Sequence, residues 1–133
     1  MVKGKVTHFE IPVEKMDRAR KFYADTFGWN VMDMPGQSPN MPYVMAVGAE
    51  TDERGMVTEK GAINGGIIMR AAPLQHPIIT VDVDDMDGAL DKVKKNGGKV
   101  LVKKTAMAQM GFFAYFQDTE GNVMGLWQSA RGM

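Results

Sequence analysis

The sequence predicts an α+β fold: two β-α-β-β-β modules pairing into a curved mixed β-sheet around a cleft, with the helices outside. Three observations carry this. The stretch Thr7–Trp29, THFEIPVEKMDRARKFYADTFGW, opens as a strand and closes as a helix. The same order restarts at His76, HPIITVDV followed by DDMDGALDKVKKN. Short strand-like runs follow each helix, and the last two, GFFAYFQ and NVMGLWQ, flank a tight DTEG turn and read as a hairpin.

Each element has its own reason. In the first strand, residues 5–13, side chains alternate: His8, Glu10 and Pro12 face one way, Phe9, Ile11 and Val13 the other. The first helix spans 14–27 and repeats Met16, Ala19, Phe22, Tyr23 and Phe27 at helical spacing. That stripe predicts Met16, Ala19, Phe22 and Phe27 against a sheet, with Gly28 ending the helix in the left-handed conformation. Asn30–Met34 reads as a second strand and Asp33–Pro42, with three prolines and a glycine, as a loop. Tyr43–Val47 is a third strand. Gly48–Gly61 is polar and turn-rich, a connection or flap. Ala62–Arg70 is a fourth strand whose glycine pair marks a bulge or a close approach.

After the linker Ala71–Gln75, His76–Val83 forms the fifth strand and Asp84–Asn96 the second helix, with Met86, Ala89, Leu90 and Val93 on its apolar face. Gly97–Gly98 stops it. Lys99–Lys103, Gly111–Gln117 and Asn122–Gln128 supply strands six to eight. A shift of 70 residues superimposes Val13 on Val83, Met16 on Met86, Asp17 on Asp87, Ala19 on Ala89 and Gly28 on Gly98. Two copies of one unit imply pseudo-symmetry, and neither half buries a sheet face well alone. The expected organisation is a single domain, 1–133, with modules 1–70 and 76–133.

Composition narrows the classes. Formal net charge is zero, 16 basic against 16 acidic residues, which gives no reason to expect nucleic acid or an anionic membrane as partner. There are no cysteines, hence no disulfides or thiolate chemistry, which suits a reducing cytoplasm. No apolar run approaches the ~20 residues of a membrane span, and MVKGKVTHFE lacks a signal-peptide apolar core. The expectation is a cytoplasmic protein. Thirteen methionines read as core filler, or as an adaptable pocket wall at Met32, Met34, Met41 and Met45.

THFEIPV with the RARKFYADTFGW helix, the restart at HPIITVDV, the NGG helix stop and the terminal FFAYFQDTEGNVMGLWQ hairpin together resemble the vicinal oxygen chelate superfamily. That superfamily includes glyoxalase I, extradiol dioxygenases, fosfomycin-resistance enzymes and bleomycin-resistance proteins. The resemblance covers nearly the whole chain and speaks to fold more than to reaction. It implies a homodimer, and metal ligands on the first and last strands of each module. His8 and His76 match its histidine positions. Its eighth-strand glutamate falls at Gly125, and no acid occurs within Ile63–Met69 for its fourth-strand carboxylate.

A divalent ion (Ni, Zn, Mn or Fe) at His8 and His76 is therefore one expectation, weak or absent because tight catalytic sites have three or more protein ligands. The other is a pair of hydrogen-bonded histidines without metal. Glu10 shares the face of His8, about 6–7 Å along the strand, and is the candidate catalytic base; it also reads as a lysine-paired strand residue. Asn64, Trp127 and Phe112 are candidate substrate-binding residues, with backbone service, core closure and core packing as their plainer roles.

Two functions follow. One is a glyoxalase-like enzyme, related to lactoylglutathione lyase or dioxygenase-like, acting on a small oxygenated or carbonyl compound. The other is a metal-free sequestering protein of the bleomycin-resistance type.

Overall fold

The computed structural model describes residues 4–33, 43–53 and 57–130. Met34 and Met41 of the methionine wall, the rest of the proline-rich loop up to Pro42, and residues 54–56 of the polar connection lie outside the described residues. The chain forms two compact units, His8–Pro77 and Met1–Thr7 with Ile78–Met133. The fold is α+β, and each unit is built around one helix and a mixed sheet.

The first module contains β1 (Lys5–Val13), α1 (Met16–Phe27), β2 (Asn30–Asp33), β3 (Tyr43–Val47) and β4 (Asn64–Met69). Its strands lie in the order β2-β3-β4-β1. β1 and β4 are parallel, and the other two pairings are antiparallel. Paired residues share a face, so the register separates two surfaces. Phe9, Ile11, Val13, Ile67, Val44 and Ala46 look toward α1, while His8, Glu10, Asn64, Gly66, Tyr43 and Met45 look away. Val44, Ala46 and Ile67 are buried at the centre, with Met16, Ala19, Tyr23 and Trp29 packed over them.

The second module contains β5 (Ile78–Asp82), α2 (Met86–Lys95), β6 (Lys99–Met107), β7 (Gly111–Gln117) and β8 (Val123–Ser129), in the order β5-β8-β7-β6. β5 and β8 are parallel, and β7 and β8 form the expected hairpin. Met86, Leu90, Ala114 and Leu126 form its buried centre. The Met and Leu side chains each stabilise the fold by about 1.5–3 kcal/mol relative to exposure.

Several boundaries move, each for a local reason. α1 starts at Met16 rather than Glu14, because the Glu14 carboxylate is bonded to Arg70 at 3.1 Å and Lys15 is extended. α2 starts at Met86 because Asp85 is its N-cap, its side chain accepting from the Gly88 N–H at 3.2 Å. β5 starts at Ile78, not His76; Pro77 has no N–H to give a sheet. β6 runs on to Met107 through two register shifts. Phe22 and Phe27 were expected on the sheet and are 55% and 60% exposed. Tyr23 takes the place expected for Phe22, which lies about 100° further round the helix. Phe27 is the last helical residue and rests its ring on Tyr23 and Trp29. Gly28 ends α1 with φ 74°, as expected.

Candidate functional site

The polar face of the first module collects the chemistry. Glu10 is 5% exposed and His8 half-buried, next but one on the same strand face. The Tyr43 hydroxyl lies 2.5 Å from His8 Nε2, and the two rings are nearly parallel, 13° apart at 6.3 Å. Burial pushes the His8 pKa below its ordinary value, opposed in part by a hydrogen bond to the backbone of Asn64. Nε2 and the Tyr43 hydroxyl are hydrogen-bond partners across the two strands.

Tyr43 can reach across because β4 carries a glycine there. A Cβ placed on Gly66 would collide with the Tyr43 ring. On the opposite face a Cβ at Gly65 would collide with the Phe9 ring. The glycine pair is thus a close approach of rings on both sides of the sheet. Sequence reasoning named the glycines and missed Tyr43. Its signal was the alternation in Tyr43–Val47, which sets Tyr43 and Met45 on one face, but the partner across 35 residues comes only from the fold.

The other predicted residues divide. The Asn64 side chain turns to the backbone of the connection after β3: its oxygen accepts from Gly48 and Ala49 at 3.0 and 2.9 Å, and its nitrogen donates to Ala49 O at 3.2 Å. Phe112 packs with the α2 core cluster, under the Lys104 ammonium at 4.4 Å. It lies on the helix side of its sheet, away from the face expected for it. Phe113 and Tyr115 occupy that other face, ring to ring at 5.8 Å. Trp127 pairs with Phe113 and Asp82 and is half-buried on the same face as Gly125. His76 is exposed and sits in the connection before β5, two residues outside the strand. A separate depression of about 520 Å³ lies against α1, lined by Ile11, Arg18, Phe22, Tyr23 and Arg70 among others. It contains none of the predicted site residues.

The Glyoxalase/Bleomycin resistance protein/Dioxygenase superfamily model matches residues 5–126. The chain belongs to this superfamily. A "Glyoxylase-like domain-containing protein" of Didymella fabae is 32% identical over 90% of this chain and 89% of its own length. The "Putative glyoxylase CFP32" of Mycobacterium bovis is 30% identical over 85% of this chain, which spans only 41% of that relative. Among solved structures, a Streptomyces coelicolor methylmalonyl-CoA epimerase in complex with 2-nitronate-propionyl-CoA superposes with a TM-score of 0.67, covering 95% of this chain and 97% of that one. At 17% identity it speaks to the shared fold alone.

Some glyoxalase-superfamily members hold a divalent ion, and the residues here do not fit one. Among the described residues no three His, Cys, Asp or Glu side chains gather as a metal site. His8 Nε2 is engaged by Tyr43, and His76 lies outside the strand that was to aim it. At Gly125 the carboxylate is missing, and an added Cβ would stand 2.8 Å from Thr80 Oγ1, so the hydroxyl would have to shift to admit any side chain.

Proposed function

We propose that this glyoxalase-superfamily chain binds a small oxygenated or carbonyl compound on the polar face of its first module, through hydrogen bonds and without a resident metal. The observation that carries the reading is the meeting of His8, Tyr43 and buried Glu10 on one sheet face. Polar groups are costly to bury without partners, and a face that holds an acid, an imidazole and a phenol together is equipped to orient a ligand's oxygens. Met45, beside Gly66 in the register, adds an adaptable apolar contact. Assembly as a homodimer and residence in the cytoplasm belong to the same reading, supported by the family resemblance and by the absence of cysteine.

A second reading is enzymatic. Glu10 on the face of His8 is the residue to take a proton from carbon beside a carbonyl, since a carboxylate in a largely dry setting is suited to that role. A screen of small diols, hydroxyketones and α-ketoacids by thermal shift tests both readings. A binder should raise the melting temperature of the wild type and lose at least tenfold in affinity with Glu10→Gln. A binder indifferent to Glu10→Gln places the ligand elsewhere. Turnover lost in Glu10→Gln with binding retained selects the enzymatic reading.

A further inference from the structure

We infer that Tyr43 is a specificity-determining residue that closes His8 to metal ions and converts the polar face from chelation to hydrogen bonding. The inference rests on the ligand-binding reading above and names the residue that sets its chemistry. Two features meet at one point. The Tyr43 hydroxyl occupies His8 Nε2. A metal ion needs a ring nitrogen with a free lone pair, and Nε2 does not offer one unless Tyr43 withdraws. Tyr43 is kept in place from beneath by Gly66, the position opposite Glu10 in the β1–β4 register. Any side chain there, a carboxylate included, would displace the ring.

The second module repeats the pairing. Thr80 lies 70 residues after Glu10 and pairs with Gly125 as Glu10 pairs with Gly66. Gly125, too, is crowded, here by Thr80 Oγ1, with the Tyr115 ring at ordinary contact distance from where a Cβ would stand. Glycine thus stands at matching places on β4 and β8, and in each a tyrosine of the adjoining antiparallel strand lies beside it, pressed close only at Gly66.

Cobalt(II) is the probe, because its visible bands report coordination. Titrated into the full-length protein with no organic ligand present, it should give no histidine-dependent band with the wild type. Tyr43→Phe should bind cobalt at least tenfold more tightly, with a band that disappears in the His8→Gln, Tyr43→Phe double variant. Stoichiometric wild-type binding that is lost in His8→Gln overturns the inference. So does a Tyr43→Phe protein, folded by circular dichroism, that binds no better than wild type. If Tyr43→Phe does not fold, wild type against His8→Gln still decides. Because no organic ligand is added, these outcomes are independent of the Glu10→Gln test.

Discussion

The two modules share a plan and differ in how firmly each is fastened. α1 has no side-chain N-cap, contains no fully buried residue, and leaves Phe22 and Phe27 largely exposed. α2 is capped by Asp85, buries Met86 and Leu90, and carries Lys92, Lys94 and Lys95 in its last turn, where they complement the helix dipole. The Gln128 side chain of β8 accepts a hydrogen bond from the Met86 N–H at 2.6 Å, tying the start of α2 to its sheet. The other faces differ in composition. In the first module that face holds His8, Glu10 and Tyr43. In the second it holds Ile78, Thr80, Asp82, Gly125, Tyr115 and Trp127, with no histidine.

The sharpest break in that comparison is a pair of truncations. Met86→Ala should cost about 2–5 kcal/mol, because Met86 is wholly buried. Phe22→Ala on α1 should cost about 0.5 kcal/mol or less, as an exposed substitution does. Urea denaturation compares them, and equal costs would remove the asymmetry. Next comes Gly66→Ala, expected to destabilise by about 1–3 kcal/mol through overpacking against Tyr43. Most of that loss should vanish in a Tyr43→Ala background, a coupling that a double-mutant cycle measures.

Capping gives a smaller and opposite-signed pair. Asp85→Ala should lose about 1 kcal/mol. Lys15→Asp should gain about 0.5–1 kcal/mol, since Lys15 already has the extended backbone of a cap. The smallest effect is on pH dependence. His8 is held below its unfolded value of 6.5 by burial, so its contribution to stability is complete above 6.5 and is lost as pH falls from there toward the lower folded-state value. Melting temperatures of wild type and His8→Gln should therefore converge as pH falls below 6.5.

The fold was legible because periodicity and punctuation agree: the repeat of 70 residues, Gly28 after an apolar helical stripe, the DTEG turn between two apolar runs. The site was legible only on β1, where alternation alone puts His8 beside Glu10. Tyr43 and Asn64 depend on register between strands joined by long connections, which local pattern does not encode. GFFAYFQ is apolar on both faces, so alternation could not tell Phe112, in the core, from Phe113, outside it. His76 was misplaced because the strand pattern was carried through Pro77.

The most direct test is nitrogen-15 NMR of the His8 imidazole. The account predicts a hydrogen-bonded Nε2 and a midpoint below 6.5. An Nε2 signal without a hydrogen bond, or a ring that titrates at or above 6.5, would contradict it.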